Sequence, residues 1–548
     1  MVLLRSNAAR SCAVRTMNEF HPGLVLPPRS EPLTPRVPQS EDRIAAAYER
    51  IVRGDGRVVD LRELRTDPES RRTACAEAMA AGADVIVAGM LQSVDHRSGR
   101  PNLLVRDPEG GYVPGLVRGF KLLDRRKDGS TARISRLESL GAADDLTGFR
   151  FRWQYRWRYA LQLAHYYRML ESAGQAPRGG AYGMVVGVDD IDGLSQPAVW
   201  LKLDEATIGL AGGQLPEDDH DTTTPLTRYD IEFARRLAIA EQAAAAGPLD
   251  PPALAPIYSS ECEICVWKAV CLDRLDPDDL SLRISKSPLD VHEIAVLREA
   301  GVRTVNDLAS ADLDALMPGY VERITHRRGA EDRLRLAQRR SQLVLDGITL
   351  ERTGSGPVDV PGAPLEIDLD IETSSDGRAY LWGFWVDEPD GQHYEQFSEF
   401  RTLDERDEVD LARRALDWLR HRVDGVEARV YHYSDYELRK IDGLAATGDA
   451  VLTWAKDYAR TRFVDLFPIV RQHFFGTNGL GLKVVASAGA GFSWRDPDPG
   501  GLNSMRWFSD AVSGDSQQAR EHARTRVLQY NEDDVRATWA VRRWLRGL

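Results

Sequence analysis

Residues 365–373, LEIDLDIET, decide how the last third of the chain is read. Apolar and acidic residues alternate along this stretch, and a period of two is that of a β-strand. Leu365, Ile367, Leu369 and Ile371 then share one face, and Glu366, Asp368, Asp370 and Glu372 share the other. Four carboxylates in a row repel one another unless water or cations screen them. The acids are either the wet face of a half-exposed strand or a cluster opening onto a cation site. The β-branched composition and the Thr-Ser-Ser that follows suit a central strand ending at a site.

Working outward, two more acidic stretches follow. VYHYSDYELRKI (430–441) places Asp435 and Glu437 at a strand-to-helix junction. YNEDDVRATW (530–539) places Tyr530 and Asp534 one helical turn apart. YLWGFWV, EQFSEF and ARVYHY read as strands. DEVDLARRALDWLRHR and VLQYNEDDVRATWAVRRWLRGL read as helices. This is an α/β domain beginning near Pro364. A first α/β domain with a mixed sheet is read upstream, with helices at EDRIAAAYERIV (41–52), PESRRTACAEAMAAG (68–82), 152–173 and 225–246. Its strands are DVIVAGML (84–91), PNLLVRD (101–107), GYVPGLVR (111–118), GMVVGV and AVWLKL. A Pro-rich stretch (20–41) reads as an extended connector. Residues 284–345 look all-helical, and VLREAGVRTVNDLAS there reads either as a helix-hairpin-helix around Gly301 or as a plain linker.

The whole-chain numbers bound the function. At 548 residues, 43% hydrophobic and 28% charged, the chain is globular and long enough for about three or four domains. Seventy-one Lys and Arg against 84 Asp and Glu give a net charge of −13, so a globally basic nucleic-acid binder is excluded but a local basic groove is not. No apolar run approaches the ~20 residues of a membrane span, and no secretory signal is read, so a cytoplasmic chain without membrane contact is expected. No GxxxxGK[ST] occurs, which argues against an ATP-driven motor. Five cysteines exclude a disulfide scaffold. Cys262, Cys265 and Cys271 are spaced C-x2-C-x5-C, with Cys12 far upstream. Four such thiolates suit a cubane iron–sulfur cluster or a structural Zn²⁺, and three unrelated reduced thiols is the plainer reading. Cys75, mid-helix, reads as a small buried apolar residue.

The C-terminal acids resemble the ribonuclease H-like, DEDD-type exonuclease domain of the YprB type. Asp370 and Glu372 match its D-x-E motif, and Tyr530 and Asp534 match its Y-x3-D motif. YHYSDYE matches the second motif, with His432 for Asn and Glu437 for Asp; Asp435 is the competing assignment. FVDLFPIVRQHF and GLGLKVVASAGAGFSW resemble the family's helix and LK-containing loop. The resemblance implies Mg²⁺ or Mn²⁺ held by Asp370, Glu372 and Asp534, with Asp370 bridging two ions. Glu437 would act partly through water and Tyr530 would orient the attacking water. It further implies 3′→5′ hydrolysis of single-stranded or frayed DNA in repair or recombination; RNA is not distinguished from DNA.

The cysteine pattern resembles that of RecB-like (restriction-endonuclease-like) nucleases, in which a structural cluster staples the fold. Carried over, Cys12, Cys262, Cys265 and Cys271 would ligate a [4Fe-4S] cluster, with Zn²⁺ as the alternative. That family asks for an Asp, then D-x-K or E-x-K, then Q-x3-Y. Gln162 and Tyr166 supply the last. Asn102 stands at the Asp position and Leu116 and Arg118 at the D-x-K position, and neither Asp107 nor Asp124 rebuilds the motif. A fold retained with its chemistry lost is therefore expected. The helix FRFRWQYRWRYALQLAHYYRML interleaves Arg with Trp and Tyr. It reads either as a single-strand binding surface with Arg152, Arg156, Gln162 and Tyr166 or as an amphipathic helix whose aromatics fill the core. The expected order is a RecB-like domain (1–280), a helical connector (281–350) and a ribonuclease H-like domain (360–548) with the active site. The alternatives are cleavage by the N-terminal domain, or a non-catalytic nucleic-acid-binding scaffold for a helicase supplied in trans.

Overall fold

The computed structural model describes every residue except 27–37, 192, 210–221 and 284–288, and the side chains of all others but 38–40, 154, 155 and 502. Half of the Pro-rich connector expected over 20–41 lies outside the described residues, and a helix, Pro38–Val52, begins within its end. The chain divides into two compact units. The first holds Met1–Pro277, Val291–Ala300 and Asp314–Asp332; the second holds Asp278–Asp290, Gly301–Leu313 and Arg333–Leu548. No described helix is long and apolar enough to cross a membrane.

The first unit is built on an eight-stranded mixed sheet. Its strands are β1 (Val58–Asp60), β2 (Val85–Val87), β3 (Leu103–Arg106), β4 (Tyr112–Val117), β5 (Thr131–Ser135), β6 (Ala143–Thr147), β7 (Tyr182–Val186) and β8 (Ala198–Lys202). Their order is β1-β2-β3-β4-β7-β8-β5-β6. β2, β3 and β4 form an antiparallel meander. β4 and β7 are parallel, a pairing that needs a crossover, here the long helix between them. The first helices are α1 (Ala13–Phe20), α2 (Pro68–Ala80), that crossover α3 (Trp153–Ser172) and α4 (Pro225–Ala245). Leu161, Ala164 and Leu170 of α3 join the core with Cys75, which is fully buried. β2 is shorter than the expected 84–91 because Ala88 turns to φ +56°, where an extended strand cannot continue.

Between the two α/β regions, helices Val291–Glu299 and Val305–Ser310 flank Gly301, whose φ is +90°. The first belongs to the first unit and the second to the second.

The second unit carries a five-stranded sheet of β9 (Leu365–Thr373), β10 (Ala379–Glu388), β11 (Gly391–Ser398), β12 (Ala428–His432) and β13 (Phe463–Asp465), ordered β11-β10-β9-β12-β13. β9 is the middle strand, antiparallel to β10 and parallel to β12. Helices α5 (Glu405–Arg422), α6 (Tyr436–Ala445), α7 (Leu482–Ala488), α8 (Gly501–Ser513) and α9 (Gln517–Arg546) surround it. The expected LK-containing loop is thus helical from Leu482, with Gly481 as its N-cap. Ile367, Leu369 and Ile371 share one apolar core with Leu411, Leu416 and Leu419 of α5.

Candidate active site

Every residue of β9 except Asp370 is buried, so its acidic face is no wet surface. That face meets α9, which runs the opposite way to the strand. Buried residues Tyr530, Asp534, Thr538 and Arg542 recur every fourth position along α9 and form one stripe. The antiparallel run sorts the four acids into two pairs.

At the start of the strand, arginines neutralise the acids. Arg542 donates from Nε to Asp368 (3.0 Å) and from Nη2 to Asp387 (3.0 Å), and it also pairs with Glu366. Arg546 donates to both oxygens of Glu366 (2.9 and 2.7 Å), and the Tyr431 hydroxyl adds a third bond (2.9 Å). Burial alone would raise Glu366, but Arg546, Arg542 and Tyr431 outweigh it and hold its carboxyl below the usual range.

At the other end no arginine intervenes. Donor oxygens of Asp370, Glu372 and Asp534 all lie within 4.8 Å of one another, and among the described residues this is the one trio of His, Cys, Asp or Glu so close. Removal from water, then the charges of Glu372, Asp534 and Glu437, push Asp370 well above the carboxylate range. Burial, then Asp534, pushes Glu372 up to about 7. Asp534 is raised by burial too, in part offset by Lys483 and by the Trp494 N–H. Like charges gathered out of water favour a bound divalent cation, and an all-oxygen set suits Mg²⁺ or Mn²⁺. The residues therefore fit the cation that their resemblance implies.

Neutral groups aim the three acids. Asn531 Nδ2 donates to Asp370 (2.7 Å), and Asn531 Oδ1 accepts from Tyr394 (2.6 Å). That amide occupies the space a side chain on Gly383 would fill: a Cβ there would lie 1.7 Å from Asn531 Oδ1. Gly383 pairs with Asp370 across the strands, so the missing side chain is what lets α9 reach the central acid. Ser504 of α8 donates to Glu372 (2.6 Å), and Trp494 Nε1 to Asp534 (2.6 Å). A register shift between Glu372 and Thr373 ends the regular ladder beside the acids.

Tyr530 lies under this cluster. Lys483 Nζ donates to its hydroxyl (2.8 Å) and stands 3.9 Å from Asp534. Burial and the acids push the Tyr530 phenol far above its ordinary value, so it stays protonated. Glu437 is buried, raised by that burial, and acts by its charge on Asp370; His432 Nδ1 lies 3.5 Å from it. Ser434, at φ +90°, makes the turn that delivers Glu437 at the head of α6. Asp435 instead points outward and pairs with Arg439 (3.0 Å), two-thirds exposed. Lys483, Asn531, Trp494 and Ser504 carry no assignment in the sequence reading. The Lys of the LK segment was the one visible signal.

The first unit presents a different picture. Asn102 Oδ1 accepts from Arg118 (2.9 Å), whose other Nη donates to Gln162 (2.9 Å). Gln162 donates to Ser6 (3.1 Å), and Ser6 meets the Tyr166 hydroxyl (2.9 Å). The motif positions Asn102, Arg118, Gln162 and Tyr166 thus lie together in a neutral and cationic network that contains no acid. Asp107 accepts from the Glu109 and Gly179 amides (3.2 and 2.5 Å), and Asp124 pairs with Arg152 (2.8 Å). Of the four residues read as a nucleic-acid surface, Gln162 and Tyr166 are buried and Arg152 is paired. Arg156 makes no side-chain hydrogen bond or ion pair among the described residues and lies over Phe120 (3.7 Å).

Cys12, Cys262, Cys265 and Cys271 line one cavity, closed by Val14, Trp267 and Leu275. Glu261 of the cysteine-rich segment accepts from the Cys12 amide (3.0 Å), tying the remote cysteine to the trio. Burial raises the Cys12 and Cys265 thiols and pushes Cys271 up to about 11. No three of these sulfurs come within 4.8 Å of one another. A single tetrahedral Zn²⁺ at ~2.3 Å from each sulfur would draw them to about 3.8 Å.

Residues 368–546 match the family model of the RNase H superfamily. A search of the curated proteins returned no match, and neither did a search of the solved structures. The second unit therefore contains an RNase H-like domain, and its acid cluster points to a nuclease-type phosphodiester hydrolase.

Proposed function

We propose that this chain is a divalent-metal-dependent exonuclease acting 3′→5′ on single-stranded DNA in repair or recombination, with Asp370, Glu372 and Asp534 as metal ligands. The observation that carries the reading is the convergence of three carboxylates, free of arginine, in the RNase H-like domain. Divalent ions bound there would stabilise charge on the attacking and leaving oxygens of the phosphodiester. Asn531, Ser504 and Trp494 hold the three carboxylates in place. Lys483 donates to the Tyr530 hydroxyl, which in turn donates to Asp534, so Tyr530 ties the lysine to the acids and stands beside the place where a water would be oriented. Glu437 adds a fourth acid at the edge of the group.

In this reading the N-terminal module (about 1–280) is RecB-like, has lost its own chemistry and is stapled by a [4Fe-4S] cluster on Cys12, Cys262, Cys265 and Cys271. A helical connector (about 281–350) follows, with Gly301 at the turn of a helix-hairpin-helix. The antiparallel meander followed by a parallel strand across α3 supports the first part. The gathering of all four cysteines around one cavity supports a shared metal site there. The test is a time course on 5′-labelled single-stranded DNA with Mn²⁺, using protein purified without oxygen. A ladder that shortens with the wild type and is absent with Asp370→Asn is expected. Equal cleavage by both proteins would refute the site. Binding without cleavage by the wild type would favour a scaffold acting with a separate helicase.

A further inference from the structure

Several arginines of the first unit have a carboxylate partner: Arg43 with Asp190, Arg50 with Glu138, Arg62 with Asp60, Arg168 with Asp230. Arg10, Arg118 and Arg156 have no carboxylate partner among the described residues, and the three gather around one pair of aromatic rings. The guanidinium carbons of Arg10 and Arg118 lie 5.1 and 5.2 Å from the Tyr159 ring centre. Tyr159 lies 5.2 Å from Phe120, and Arg156 lies 3.7 Å over that ring. Arg10 bonds only to Asn7, Arg118 to Asn102, Gln162 and its neighbour's carbonyl, and the buried Nε of Arg156 has no partner. The nearby acids are engaged elsewhere. Asp189 accepts from the Leu122 and Leu123 amides (2.7 and 3.1 Å), and Asp124 holds Arg152.

Three guanidiniums gathered around two rings with no carboxylate among them form a local concentration of positive charge in a chain of net charge −13. Partial burial and the charge of Arg10 both disfavour the Arg118 cation, a cost that an external anion would relieve. Guanidiniums also match phosphate geometry better than ammonium groups do. The aromatic rings between them suit unpaired bases rather than a stacked duplex.

We propose that Arg10, Arg118 and Arg156, set on the Phe120–Tyr159 pair, form a non-catalytic site for the backbone of single-stranded nucleic acid. The site rests on the nuclease reading only for the class of ligand. It would hold a strand on the first unit without cutting it.

The test uses the full chain with EDTA present and reads anisotropy of fluorescein-labelled dT20. Arg118 belongs to a buried network, so the working variant is the double substitution Arg10→Gln/Arg156→Gln. It should weaken binding about tenfold or more at 0.1 M salt. It should also flatten the slope of log Kd against log salt by about 1.4, from two lost phosphate contacts at ~0.7 each. Arg235→Gln, on an arginine 68% exposed, should change neither. Unchanged affinity and slope in the double variant would overturn the site, and tighter binding of a blunt duplex would overturn the single-strand assignment. Because no metal is present, loss of binding in the double variant stands even if the acids prove unable to cleave.

Discussion

Asp370→Asn should abolish cleavage yet make the metal-free protein more stable. Asp370 sits within 4.8 Å of both Glu372 and Asp534. At an effective dielectric near 20, each such pair of full charges costs about 3.5 kcal/mol. Proton uptake and Lys483 reduce that, which leaves a gain of about 1–3 kcal/mol when one carboxylate becomes an amide. Asparagine keeps an oxygen to accept from Asn531, so little is lost in packing. The sign follows from linkage. A carboxyl raised in the folded state costs nothing below about pH 4, where it is protonated folded or unfolded, and its cost grows as pH rises through the folded value. The gain should therefore be present at pH 7.5 and vanish towards pH 4. Saturating Mn²⁺ should reverse the ranking, since an ion at a hundredfold its Kd stabilises the wild type by about 2.7 kcal/mol. The assay is urea unfolding followed by tryptophan fluorescence, in EDTA and in Mn²⁺. Destabilisation of the variant in EDTA, or equal stabilisation of both proteins by Mn²⁺, would refute the reasoning.

Arg542→Met should cost about 3–5 kcal/mol in the same assay, because it strands Asp368 in the interior while Glu366 keeps Arg546, and adding Asp368→Asn should recover much of it; a loss below about 1 kcal/mol would contradict the pairing. Lys483→Met should lower kcat on the order of a hundredfold with KM little changed, read by single-strand digestion, because Tyr530 loses its anchor. His165 is buried, accepts from the Tyr229 hydroxyl (2.9 Å), lies 3.1 Å from the Ser98 carbonyl, and is driven by burial down to about 3. Below its ordinary value near 6.5, unfolding takes up a proton, so stability should fall by about 2 kcal/mol between pH 7 and pH 5. His165→Gln should flatten that part of the profile of thermal midpoint against pH.

Much of the second unit was legible because its signals are local. β9 covers the nine alternating residues of 365–373, and Tyr530 and Asp534 share a helix turn. The division of the four acids was not legible. It depends on Arg542 and Arg546, more than 170 residues away, and on the direction in which α9 crosses β9. Period two puts four acids on one face but says nothing of what lies opposite. Ser504 and Asn531 were missed for the same reason, since a neutral residue on a helix becomes a site residue only through its neighbour. β5 and β6 went unread because β6, with Asp144 and Asp145, lacks strand-like alternation. In the first unit the helical signal of α3 was clear, but which of its arginines would be paired depended on distant loops.

The four acids of β9 also set the order in which this domain is assembled. The half of the strand that must be neutral for the chain to collapse carries its own counterions, covalently, on α9. The other half is left without an arginine at the sheet's end, with Lys483 as a partial stand-in. Folding can therefore finish before any ion arrives, and the ion can leave without dismantling the fold. On the proposed function the cation would be a passenger on a finished domain, and the amount of free metal around the chain a dial on its activity rather than a condition for its folding.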